Sequence, residues 1–189
     1  MVDKVDFKFI SQLEGGRTTT GYVPAVGGSN SGVTIATGFD LGQRNVADIK
    51  ALGLTVALVE KLKPYLGKKR LEAVTFLKQK ALVITSAEAE QIDKAAKKSL
   101  LTKVKLKYIS SAHNSNTLHF DSLPVEAQTV IASVAFQYGA SLDVRVPKFW
   151  QAVSSQNWGE AAKILNSFGD AYPSRRRKEA DLLKKLISK

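Results

Sequence analysis

Cysteine is absent from the 189 residues, which excludes disulfides, thiolate nucleophiles and zinc–thiolate sites. Histidine occurs only at His113 and His119, too few for a multi-histidine metal centre, and neither a metal nor another cofactor is expected. No apolar run is long enough to span a membrane. The opening stretch, Met-Val-Asp-Lys-Val-Asp-Phe-Lys-Phe-Ile-Ser, lacks the basic start and apolar middle of a secretory leader. Synthesis in the cytoplasm without a signal peptide is the expectation, so any action outside the cytoplasm needs a separate route of release. Internal repeats and low-complexity segments are missing too, which leaves an ordinary globular chain.

What is abundant is positive charge. Lys and Arg outnumber Asp and Glu by 28 to 17, a net +11. Such an excess attracts a polyanion: nucleic acid, an anionic membrane surface or an acidic cell-wall polymer. It is equally the signature of a lysine-rich solvated surface. With 44% hydrophobic and 24% charged residues, the chain has enough apolar material for one well-buried domain.

The predicted architecture is α+β and mostly helical. Phe7, Ile10, Leu13 and Glu14 share one face of a helix over residues 4–14, capped by Asp3 or Asp6 and stopped at Gly15-Gly16. Residues 18–23 and 33–39 are β-branched and aromatic, with a Gly27–Gly32 loop between them. They predict a small antiparallel sheet near the N-terminus. Helices follow. Asn45 and Thr55 are candidate caps, and Thr85 with Glu88 forms a capping box ahead of a helix to about Tyr108. Pro124 starts an apolar helix that Gly139 ends, and further helices run over 147–153, 157–168 and 174–187. Trp150 and Trp158, at helical spacing among apolar neighbours, read as core. One domain over 1–189 is expected, with a small β-containing lobe at about 15–45 and a helical lobe for the remainder.

Three side chains suggest chemistry. Glycosidic cleavage needs a carboxylic acid that keeps its proton near neutrality and a second oxygen-bearing group that handles water. A glutamate on the apolar side of a closing helix, with glycines opening space beside it, suits the acid, and Glu14 has that setting. Taken alone, it reads better as a solvated carboxylate at a frayed helix end. In Thr34-Ile35-Ala36-Thr37-Gly38-Phe39-Asp40, an unbroken strand would turn Thr34, Ala36, Gly38 and Asp40 to one face. The small residues there leave room for a ligand; Thr34 offers a hydroxyl and Asp40 a carboxylate. A Thr-rich strand ending in an Asp turn is the plainer interpretation.

Leu13-Glu14-Gly15, Gly21-Tyr22, Thr34-Ile35-Ala36-Thr37-Gly38 and Phe136-Gln137-Tyr138-Gly139, in that order, resemble the phage-type lysozyme superfamily. Trp158-Gly159-Glu160-Ala161-Ala162 and Pro173-Ser174-Arg175-Arg176-Arg177 resemble its C-terminal helices. The resemblance has one departure. Residues 15–33 contain no Asp or Glu, and Asp40 follows Thr34. The order Glu, Thr, Asp is similar to the lysozyme-like (muramidase) domain of the bacteriocin pesticin and its relatives. The resemblance implies a lysozyme-like fold with Glu14 as general acid, Thr34 positioning water and Asp40 as base or electrostatic partner. It implies an arginine, Arg175, beside the catalytic glutamate; Tyr22, Thr37 and Gln137 are candidates for binding the sugar, and for Tyr22 and Gln137 core or surface packing fits equally well. Arg175–Arg177 also read as a solvated basic start to the last helix.

Peptidoglycan is the substrate so implied, cleaved between N-acetylmuramic acid and N-acetylglucosamine by a metal-free, inverting hydrolase that acts as a monomer. No nucleic acid is expected as partner. The expected site of action is the cell wall, in the periplasm or outside the cell, reached as a phage endolysin with a holin or as an exported toxin with a secretion-system carrier or an immunity protein. The alternatives are a basic non-enzymatic module for nucleic acid or membrane, a lysozyme-like fold that has lost catalysis, and a lytic transglycosylase.

Overall fold

The computed structural model describes residues 4–24 and 30–187. They form two compact units, one of residues 14–99 and the other of residues 4–13 together with 100 onward. The unit that carries the sheet thus reaches Ser99, well past residue 45. Asp3 and the Gly27–Ser29 part of the predicted loop lie outside the described residues.

The second unit begins with α1 (Phe7–Ser11), whose cap Asp6 accepts from the Phe9 amide at 2.9 Å. The sheet-bearing unit follows, with strands β1 (Thr18–Tyr22), β2 (Thr34–Ala36) and β3 (Phe39–Asp40) in the antiparallel order β1-β2-β3. Its helices are α2 (Val46–Ala51), α3 (Val56–Leu62) and α4 (Arg70–Gln79). Then comes α5 (Ser86–Ile109), 24 residues long, whose first part belongs to this unit. The remaining helices are α6 (Val125–Tyr138), α7 (Leu142–Arg145), α8 (Pro147–Ser154), α9 (Trp158–Asn166) and α10 (Pro173–Lys184). Among the described residues helix predominates beside one small sheet, the arrangement expected of a lysozyme-like fold.

Local sequence chemistry accounts for several of these boundaries, although Thr55 makes no side-chain cap to α3. Asn45 and Asp48 cap α2 reciprocally, and Thr85 and Glu88 do the same ahead of α5, with bonds of 2.7 and 3.1 Å. Gly139, at φ +81, closes α6 in a conformation that costs a side-chain-bearing residue energy. Asn157 accepts from the Glu160 amide at 3.0 Å to start α9.

Two boundaries differ from expectation. The first helix stops at Ser11, and Glu14 lies three residues beyond it at a bend. The Leu13 amide turns back to the Ile10 carbonyl at 2.9 Å, tightening the exit, while the Leu13 carbonyl accepts from Arg175 at 3.2 Å. The second difference is the segment 34–40, which is a hairpin and not one strand. Ala36 and Gly38 adopt φ of +54 and +77, and the chain reverses so that Ile35 faces Phe39 and Thr34 faces Asp40. The alternation of apolar and polar residues is the same in both arrangements; the glycine decides between them.

Each unit has its own core. In the sheet-bearing unit Val33, Ile35, Leu41, Ile49, Leu58 and Leu62 are fully buried. In the other, Ile10, Tyr108, Phe120, Ile131 and Phe149 are buried with Trp150, and Trp158 packs against them. That core also encloses charge. Glu179 is 0% and Arg176 1% exposed. Glu179 accepts from Ser133 Oγ at 2.5 Å, from Arg175 Nε at 3.1 Å and from Arg176 Nη1.

Under β3 the backbone approaches itself closely. A Cβ placed on Gly32 would lie 2.1 Å from the Lys68 carbonyl oxygen and 2.5 Å from Gly42 Cα. Neither neighbour is a movable side chain. Gly32→Ala should therefore lower stability by at least about 1–3 kcal/mol, the usual range for overpacking. Urea denaturation followed by circular dichroism measures this, and an unchanged midpoint would show that the contact is not tight in solution.

Candidate active site

In an antiparallel sheet, residues directly opposite one another project their side chains to the same face. Tyr22 on β1 pairs with Thr34 on β2, and Thr34 pairs with Asp40 on β3. A phenol, a hydroxyl and a carboxylate thus form one row across the sheet. All three are residues singled out from the sequence; the hairpin brings Asp40 to Thr34, and the pairing of β1 with β2 adds Tyr22.

The row is graded in exposure. Tyr22 is 43% exposed and available for stacking, Asp40 is half-buried and Thr34 is buried. Thr34 Oγ1 donates to the Gly32 carbonyl at 3.2 Å, which fixes the hydroxyl proton and leaves oxygen lone pairs to accept another bond. Asp40 Oδ1 accepts from the Gly32 amide at 3.1 Å and the Gly42 amide at 2.8 Å. Its Oδ2 carries no hydrogen bond among the described residues. Arg44 lies nearby with its guanidinium 4.2 Å from the Phe39 ring centre. Burial pulls the Arg44 pKa below its ordinary value, against the opposing attraction of Asp48 and Asp40.

Glu14 is mostly shielded, its side chain 14% exposed, and its Oε2 accepts from Lys97 Nζ of α5 at 3.0 Å. The cation beside the glutamate is thus Lys97. Arg175, the arginine implied for that place, donates to the Leu13 carbonyl at 3.2 Å, to Ser133 O and Oγ at 2.9 Å, and to Glu179. It supports the peptide just before Glu14. Nor are Arg175 and Arg176 solvated, since both are buried; only Arg177 is exposed.

Two other candidates for binding the sugar have protein partners. Gln137 Oε1 accepts from Arg176. Thr37, in the hairpin turn, gives its amide to Asp93 Oδ1 at 3.0 Å and its hydroxyl proton to Asp93 Oδ2 at 2.8 Å. The buried Asp93 carboxylate, 8% exposed, also accepts from Arg17 Nε at 2.8 Å.

Sequence reasoning missed Lys97, Asp93 and Arg17. Lys97 sits among Lys94 and Lys98, which are exposed on the same helix, and nothing local separates the three. Asp93 carried a weak signal, a charge directly after Ile92 on the apolar side of a helix.

A family model for the C-terminal domain of pesticin, described as a bacterial toxin homologue of phage lysozyme, matches residues 4–159. The chain belongs to this family. The match spans both the Glu14 segment and the Tyr22–Thr34–Asp40 row, and it ends within α9, before Arg175. No curated protein matches the chain. Among the described residues no helix is long and apolar enough to cross a membrane.

The double use of Asp40 Oδ1 separates two roles by substitution. Asp40→Ala leaves the Gly32 and Gly42 amides without their acceptor and should lose about 1–3 kcal/mol of stability. Asp40→Asn keeps an acceptor oxygen at that point and should lose less. Equal losses in denaturant titrations would mean that the carboxylate charge, and not the pair of amide bonds, carries the structural contribution.

Proposed function

We propose that this protein is a muramidase, hydrolysing the β-1,4 bond between N-acetylmuramic acid and N-acetylglucosamine in peptidoglycan. The observation that carries the reading is the cross-strand row of Tyr22, Thr34 and Asp40 in the same unit as the shielded Glu14, in a chain of the phage-lysozyme-homologue family. Glu14 gives its proton to the glycosidic oxygen as the C1–O bond breaks. The Thr34 oxygen accepts a hydrogen bond from a water, which adds to C1 from the opposite face, and Asp40 Oδ2 receives the proton that water releases. Attack from the opposite face inverts the anomeric configuration. Tyr22, exposed at the end of the row, offers a ring on which a sugar can stack.

The net charge of +11 favours association with anionic walls and predicts that binding weakens with salt. On this reading the chain acts on the wall, in the periplasm or outside the cell, and a holin or a secretion machine supplies the route.

Glu14→Gln keeps the shape of the side chain and removes the transferable proton. It should reduce clearing of peptidoglycan suspensions by about 100-fold or more, the scale of general-acid contributions, with the circular dichroism spectrum unchanged. Near-native clearing by that variant would end the assignment of the acid. Mass spectrometry of the released muropeptides decides the reaction type: hydrolysis adds one water, whereas transglycosylation yields an anhydro product.

A further inference from the structure

Regular secondary structure does not fix the Glu14 side chain. The residue lies at a bend outside regular structure, and the two glycines after it have nothing within 4 Å of where a Cβ would stand. A general acid has to be held to within a fraction of an ångström of its target, because small misplacements cost large factors in rate. Something other than the local chain must supply that constraint.

Helix α5 supplies it. Asp93 and Lys97 are four residues apart, hence one above the other on the same helix face. Lys97 holds Glu14 at 3.0 Å, with the two side chains only 22% and 14% exposed. One turn away Asp93 holds Arg17, three residues after Glu14, and both polar groups of Thr37 in the turn that joins β2 to β3. The segment 14–17 is therefore pinned at both ends by opposite charges. The anchor at one of those ends also sets the hairpin that carries Thr34 and Asp40.

We infer that Lys97, with Asp93 beside it on the same face of α5, is the positioning residue that fixes the Glu14 carboxyl, donating an N–H to Oε2 while the proton to be transferred sits on Oε1. The inference rests on Glu14 being the acid. An ion pair on an open surface is worth little and is readily replaced by water. This one is shielded, and its partner sits on a rigid element that also fixes the hairpin.

The test compares full-length wild type with Lys97→Met, Lys97→Arg, Asp93→Asn and Glu14→Gln. It measures kcat and KM on soluble peptidoglycan fragments, each corrected for the folded fraction from circular dichroism. Lys97→Met should lower kcat about 10- to 100-fold with KM within about twofold, and Lys97→Arg should recover most of it, since a misplaced acid costs rate and not substrate affinity. Asp93→Asn should move kcat in the same direction by less. Wild-type kcat in Lys97→Met overturns the inference, as does a rise in KM alone, which would make Lys97 a substrate-binding residue. An increase in kcat overturns it too, since the lysine would then be restraining the acid. If the methionine variant does not fold, Lys97→Gln is compared with Lys97→Arg under the same criteria. Activity in Glu14→Gln is a separate result: it removes the acid itself, and with it anything said of how that acid is held.

Discussion

A carboxylate taken out of water must be surrounded by donors, and this constraint organises the sheet-bearing unit around Asp93. Its oxygens receive an amide and a hydroxyl from Thr37 and a guanidinium N–H from Arg17, so the desolvation cost of the charge is offset only while all three are in place. The turn of a short hairpin and the segment leading into β1 are thereby tied to one helix. The cross-strand row is a consequence of that turn, because Thr34 meets Asp40 only if the chain reverses at residues 36–38. Lys97 extends the same helix face to Glu14.

The other unit resolves a comparable problem with the signs reversed. Two arginines are buried, and their compensation comes from Glu179, Asp170, Ser133 and the Leu13 carbonyl. Arg176 also lies 4.6 Å from the Phe168 ring centre, where the aromatic face favours a cation. Removing one member of such a cluster leaves a charge in the core without a partner, which is far more costly than never having buried the group. Arg175 is one of these members, bonded to Glu179, Ser133 and the Leu13 carbonyl.

What the sequence disclosed followed from how local the physics is. Capping at Asn45, Thr85 and Asn157 and the stop at Gly139 depend on residues within a few positions, and all are readable from spacing. The hairpin was half readable. The β-branched pattern announced strand, but it could not say where the strand turned, and only Gly38 distinguishes the two geometries. The early end of α1 leaves no local mark, and the bond that Arg175 makes to the Leu13 carbonyl beyond it spans 162 residues of sequence. Burial of Arg175 and Arg176 did leave a trace, since Glu179 follows them at helical spacings of four and three. Lys97 left none: the neighbouring lysines of one helix are chemically identical until a fold chooses among them.

The hairpin has a bearing on how such a protein can be varied. Ile35 and Phe39 close a loop of three residues, and the pairing of Thr34 with Asp40 is counted outward from it. Adding or deleting one position there would bring Phe39 or Leu41 opposite Thr34 and turn Asp40 to the other side of the sheet. The three loop positions are constrained as well, Thr37 by its bonds to Asp93 and Ala36 and Gly38 by their positive φ, and loop length is a fixed dimension. Libraries built on this scaffold should leave the tip unchanged and place variation and insertions in connections that set no register.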